Sequence, residues 1–145
     1  MIPAEFHNHI SLIKKLYDQA MDPLCEQYQI TRMELDILVF LANNPGYDTA
    51  RDIVEVRQFT KSHVSSAIHL LEEKKYLSRA YHEGNQKSIH LKLLPASEEI
   101  IAAGQAAQRQ FFSRIFDGLS PEDLKRVESV FCKINSNMRL LLKEV

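Results

Sequence analysis

The stretch TKSHVSSAIHLLEEKKYL, residues 60–77, decides how the rest of the chain is read. Val64, Ala67, Ile68 and Leu71 follow the i, i+3, i+4, i+7 pattern, which predicts a helix with one buried stripe, and Thr60 stands where its N-cap would be. Ser62, Ser65, Ser66 and His69 obey the same period and, at about 100° per residue, fall on the opposite face. The helix therefore has an apolar back and a small, polar front. A face with no partner is more often filled with Glu and Lys, which favour exposed helix positions. Small serines let a backbone come close to base edges, their hydroxyls can bond bases or phosphates, and Lys61 at the start can pair a phosphate.

Working outward from this helix, Leu77 to Tyr81 and Ser88 to Leu93 are two short runs, the second alternating Ile89, Leu91 and Leu93. HEGNQK joins them, and Gly84-Asn85 tolerates positive φ, so a β-hairpin is predicted. Upstream, Thr31 and Glu34 form a T-x-x-E capping box opening a helix with Ile37, Leu38 and Leu41 inward, which stops at Asn43-Asn44-Pro45-Gly46. Thr49, with Asp52 three residues on, caps a short helix around Ala50 to Val56. Helix, short helix, turn, polar-fronted helix and hairpin make a winged helix-turn-helix. In that motif the second helix enters the major groove and the hairpin reaches the neighbouring minor groove.

Both ends of the chain read as long helices with heptad-like seams. Phe6, Ile10, Ile13, Tyr17, Ala20 and Leu24 are spaced 4, 3, 4, 3, 4, and Leu124, Val127, Phe131, Ile134, Met138 and Leu141 are spaced 3, 4, 3, 4, 3. Between them a helix runs from past Pro95 to about Phe116, where Asp117-Gly118 can stop it, and Ser120-Pro121-Glu122-Asp123 is a start signal for the last one. The expected fold is mainly α (α+β), a winged helix-turn-helix with long terminal dimerisation helices. One protomer spans 1–145, with 1–29 and 96–145 as the helical dimerisation region and 30–95 as the DNA-binding lobe. Two apolar seams that one small lobe cannot cover predict an obligate homodimer.

Composition agrees with a helical protein. The 145 residues are 45% hydrophobic with only 4 Gly and 5 Pro, too few for the tight turns of an all-β domain. Charge is balanced overall, 18 Lys+Arg against 19 Asp+Glu, but residues 51–92 hold 8 basic and 5 acidic residues, a net of +3. A basic middle carried on an acidic scaffold suits a polyanion partner. No run approaches the roughly 18 apolar residues of a membrane span, and MIPAEFHNHI lacks a secretory pattern, so no membrane partner and a cytoplasmic location are expected. No nucleotide-binding, zinc-protease or nucleophile-elbow signature is present, so no catalytic residue and no cofactor are indicated and the chain is not expected to be an enzyme.

At this point the chain resembles the MarR family (multiple antibiotic resistance regulators) over nearly its whole length. The matching residues are KSHVSS at 61–66, Leu71-Glu72-Glu73-Lys74 at the tail of that helix, Leu77 and Arg79 opening the wing, and Ile89-His90-Leu91-Lys92-Leu93 closing it. The resemblance implies a homodimer joined through its first and last helices. It also implies a transcriptional regulator of pseudo-palindromic double-stranded DNA, often released by a small-molecule effector or by thiol oxidation. Three positions depart from the family pattern: Lys75 stands for Gly, Leu94 for Thr, and Asn85-Gln86-Lys87 for an Asp-x-Arg wing motif. The last keeps a cation but loses the planar guanidinium fork.

The expected DNA contacts are Lys61, Ser62, His63, Ser65, Ser66, His69, Arg79, Asn85, Gln86 and Lys87. An effector pocket is expected, on the resemblance alone, where the first, second and fifth helices meet, with Tyr17, Met21 and Phe40 as lining candidates; plain core is the competing reading. Cys25 is a redox candidate if its thiolate is stabilised and exposed. His7 and His9, two apart, diverge on a helix, so no metal site is expected. The alternative function is a winged-helix dimer that serves as a protein-interaction module with weak or no DNA binding.

Overall fold

The structure, a computed structural model, describes residues 2–82 and 85–145, the side chains of 82 and 85–88 excepted. Six helices and one hairpin follow in the order α1 (Pro3–Tyr28), α2 (Arg32–Asn43), α3 (Ala50–Arg57), α4 (Lys61–Glu73), β1 (Leu77–His82), β2 (Asn85–Leu93), α5 (Glu98–Ile115) and α6 (Pro121–Glu144). A 3-10 turn, Pro95–Ser97, leads into α5. This is the mainly helical winged helix-turn-helix expected from the sequence.

Local chemistry places most of the boundaries. The Thr31 hydroxyl accepts from the Glu34 amide at 3.2 Å while Glu34 Oε2 accepts from the Thr31 amide at 2.7 Å, a reciprocal box that starts α2. Thr49 and Asp52 do the same for α3, and Ser120 and Asp123 for α6. The chain leaves α1 and α3 through left-handed glutamines, Gln29 (φ 54°) and Gln58 (φ 55°). Each side-chain amide donates back to the carbonyl three residues earlier, Glu26 at 2.8 Å and Glu55 at 2.6 Å. Such local bonding offsets part of the cost of placing a non-glycine residue there.

Some expectations need correction. Thr60 occupies the N-cap of α4 but its side chain makes no cap hydrogen bond. α1 runs past the Phe6–Leu24 seam at both ends and includes Pro23, whose missing N–H leaves the Gln19 carbonyl without its helical donor. The strands reach one residue further at β1 and three at β2 than the apolar runs suggest. Of the expected Gly84-Asn85 turn, Asn85 is instead the first residue of β2, paired with His82, and Gly84 lies outside the described residues.

α2 is the centre of the core, with Leu35, Ile37, Leu38, Val39, Phe40 and Leu41 all buried. Helices on several sides explain why its apolar surface goes all round rather than forming one stripe. From α4 come Val64, Ala67, Ile68 and Leu71; Met21, Ile30, Ile53, Leu77, Leu91 and Ile100 complete the cluster. Gly104 lets α5 press against α2, since a Cβ there would stand 2.6 Å from Val39 Cγ2. The antiparallel wing pairs Leu77 with Leu93 and Tyr81 with Ile89, and its base is tied to the segment before α3 by a Thr49–His90 bridge and a Leu91 amide bond to the Asp48 carbonyl of 2.7 Å.

The chain divides into two compact units, residues 1–111 and 112–145, so α1 and most of α5 go with the winged-helix lobe. In the second unit α6 has no buried residue; Phe131 is 58% and Leu141 60% exposed. No helix among the described residues is long and apolar enough to cross a membrane.

Two departures from the MarR pattern now have a physical reading. Lys75 has φ 61°, the left-handed conformation in which a side chain is strained and glycine is not. Lys75→Gly should therefore raise the unfolding free energy by about 1 kcal/mol, read as a higher denaturant midpoint at unchanged slope. Leu94 is the N-cap of the 3-10 turn and offers no cap hydroxyl; buried Ser97 instead donates its hydroxyl to the Leu94 carbonyl at 2.7 Å.

Candidate nucleic-acid interface

The face of α4 is built by burial of its back. Val64, Ala67, Ile68 and Leu71 are at most 4% exposed, so the helix cannot rotate about its axis without pulling apolar surface into water. That leaves Lys61, Ser62, His63, Ser65, Ser66 and His69 exposed together along the outer side. His69 Nε2 lies 3.2 Å from Glu73 Oε1, one turn on, and Ser62, Ser65 and Ser66 give the front its short hydroxyls between Lys61, His63 and His69. α3 carries two further exposed cations: Arg51, paired to Glu55 at 2.9 Å, and Arg57, whose guanidinium lies 5.1 Å from the centre of the Phe59 ring. These two arginines were not among the candidates, although the net charge of residues 51–92 already counted them.

Arg79 does not project freely. Its Nε sits 3.2 Å from Glu72 Oε2, too poorly angled for a hydrogen bond, and the side chain is half-buried between the wing and the end of α4. Asn85, Gln86 and Lys87 are on β2, and their side chains lie outside the described residues.

The effector and redox candidates fare differently. Met21 is fully buried and Phe40 is 7% exposed, both as core. The Tyr17 and Phe111 rings meet edge to face with centroids 5.1 Å apart, and the Tyr17 hydroxyl accepts from Gln108 Nε2 at 2.7 Å. None of the three lines either of two open cavities. One, of about 460 Å³, lies among Cys25, Ile30, Glu34, Leu70 and Lys74; the other, of about 510 Å³, lies among Ala42, Leu93, Pro95, Ile101 and Gln105. Met21 and Phe40 are thus accounted for by packing and Tyr17 by its ring and hydroxyl contacts, the competing reading given for them from the sequence. Burial pushes the half-buried Cys25 thiol up from its ordinary value, outweighing the nearby Arg32 cation. A sensor needs the opposite shift, toward thiolate.

Sequence reasoning missed one group entirely. Glu34, known only as a capping residue, is 0% exposed, and its Oε1 accepts from Lys74 Nζ at 2.8 Å. The partners are 40 residues apart, so no local pattern could have joined them.

A two-helix motif with an exposed small-polar second helix, followed by an antiparallel wing, defines a winged helix-turn-helix protein. The MarR family model matches residues 28–87, which run from the end of α1 into β2. Solved structures extend the likeness to the flanking helices. S. aureus MepR in its DNA-binding conformation superposes with a TM-score of 0.82 at 21% identity, covering 92% of this chain and 98% of that one. A Listeria monocytogenes chain assigned to the MarR family of transcriptional regulators, solved with a 26mer DNA, gives 0.81 at 12% identity, covering 92% and 87%. The regulator MarR from Oenococcus oeni PSU-1 gives 0.73 at 17%, covering 90% and 98%. No curated protein is significantly similar in sequence. The fold is therefore that of the MarR regulators, as the sequence motifs suggested.

Proposed function

We propose that this protein is a sequence-specific, double-stranded-DNA-binding transcriptional regulator that acts as a homodimer on pseudo-palindromic sites and responds to a small effector. The observation that carries the reading is the exposed front of α4, where Ser62, Ser65, Ser66 and His69 form a small, hydroxyl-rich surface on a helix locked by its buried back. Lys61 at the start of α4 and the exposed Arg51 and Arg57 of α3 are the cations we assign to phosphates, and the wing is assigned to the adjoining groove. The likeness to MepR and the Listeria protein, both solved with DNA or in a DNA-binding state, supports the same reading. Selection of bound fragments from random DNA by the purified protein tests it. The expected product is a two-fold sequence with half-sites about one helical turn apart, and binding that weakens steeply with salt. Failure to retain any duplex at low salt would favour the protein-interaction module.

The dimer rests on apolar surface that the protomer leaves in water. Phe6, Ile10 and Ile13 on α1 are 43–50% exposed, and Leu124, Phe131, Met138 and Leu141 on α6 are 39–60% exposed. Apolar seams of this kind bury themselves against a second copy of the chain. Phe131→Asp puts a charge into the centre of that contact and should leave no dimer at micromolar concentration in sedimentation velocity, where the wild type sediments as one.

A further inference from the structure

We propose that Lys74 and Glu34 form a clasp that sets the pose of α4, which makes Lys74 a positioning residue for DNA recognition; the DNA half of this inference rests on the function proposed above. Lys74 is the C-cap of α4, and its ammonium reaches two other segments at once. It donates to Glu34 Oε1 at 2.8 Å, at the start of α2, and to the Gln29 carbonyl at 3.2 Å, in the turn that ends α1. The other oxygen of Glu34 is held by the Thr31 amide, so the buried carboxylate is fixed from both sides.

The two ends of α4 are held unequally. At the C-terminal end, besides the clasp, the Tyr76 amide returns to the Leu71 carbonyl at 2.9 Å, and the Leu94 amide at the foot of β2 bonds the Tyr76 carbonyl at 3.0 Å. At the N-terminal end Thr60 makes no side-chain cap, and the front residues Lys61, Ser62, Ser65 and Ser66 all lie in that half. Apolar packing of Val64, Ala67, Ile68 and Leu71 is non-directional and fixes which face is inward, but it constrains axial position and tilt weakly. A directional ionic bond at the C-cap supplies that constraint. Thirteen residues span about 18 Å, so a 5° tilt about the clasp, for example, moves the far end by about 1.5 Å. Hydrogen bonds to base edges tolerate only a few tenths of an ångström, whereas phosphate attraction is almost indifferent to such a shift.

The test compares wild type with Glu34→Gln/Lys74→Met, which keeps an acceptor for the Thr31 amide and leaves no buried charge. Spin labels at positions 62 and 43, in a Cys25→Ser/Cys132→Ser background, read the far end of α4 against the end of α2 without DNA. The clasp predicts a shifted or broadened distance distribution. On DNA, affinity for a duplex selected by the wild type should fall about tenfold or more, while affinity for a random duplex and its salt slope stay within about twofold. Lys74→Arg should recover most of the specific affinity. An unchanged label distance, or specific and random affinities falling in parallel, overturns the proposal. If the wild type selects no DNA, the function proposed above fails, and the label distances still decide the clasp. Lys74→Gln, which retains a donor for Glu34, takes the place of the double variant if that does not fold.

Discussion

Ser65→Glu is expected to abolish sequence-specific DNA binding while leaving the protein folded. Ser65 is exposed, its neighbours Val64 and Ala67 carry the packing, and Glu is a better helix former than Ser, so stability should change by less than about 0.5 kcal/mol. On DNA the same change brings a carboxylate, and two further carbons of length, to the middle of a face built from short hydroxyls. Placing like charge against phosphates costs several kcal/mol, so a loss of at least about a hundredfold in affinity is expected. Fluorescence anisotropy with a selected duplex, alongside a thermal melt by circular dichroism, reads both halves. Retained affinity in a folded variant would mean that the front of α4 does not meet DNA.

What the sequence made legible was local. The back-and-front division of α4, the capping box at Thr31, the cap at Thr49 and the antiparallel runs of the wing each depend on residues close in sequence, and the structure contains them. Even there, Thr60 shows the limit: a cap residue in the right place forms no bond, because position nominates a cap and only geometry makes one. The longer-range features were not legible. Glu34 reads only as a capping acid until α4 delivers Lys74 to it, and nothing local in the sequence sets Gly104 against Val39. Tyr17, Met21 and Phe40 illustrate the converse, since a resemblance can nominate a pocket while large apolar side chains at the same positions serve a core equally well. Lys75 is intermediate. Its departure from the family's glycine was visible in the sequence, but its meaning came only with the positive φ.

Arg32 is the strongest case of a role set by tertiary contact, and Arg32→Met should be among the most destabilising single changes in the protein. The guanidinium is 25% exposed and joins the start of α2 to α1: it donates to Asp36 at 3.0 Å, to Asp18 at 2.9 Å and to Asp22 at 3.3 Å, with its charge 5.0 Å from the centre of the Tyr17 ring. Asp36 is only 12% exposed, so losing Arg32 leaves a carboxylate poorly solvated and unpaired. Breaking a buried pair in this way costs about 3–5 kcal/mol, and partial exposure of the arginine brings the expected value to about 2–4. The pH dependence has a definite sign. In the wild type, burial raises the Asp36 carboxyl above 3.8 in spite of Arg32, and the arginine's hydrogen bond holds Asp18 below it. Without Arg32, Asp36 rises further, so the folded variant binds its proton before the unfolded chain does and regains stability as pH falls. The Asp18 contribution behaves oppositely: it is present in the wild type above pH 3.8 and is lost below, as the carboxyl protonates. Between pH 7 and 4 the Asp36 effect narrows the gap between wild type and variant, and the Asp18 effect adds to it only below pH 3.8. Urea melts across that range should show it, and Asp36→Leu in the Arg32→Met background should recover stability at pH 7 by removing the orphaned charge. A gap that is constant with pH would mean that Arg32 stabilises by packing its stem rather than by its charge.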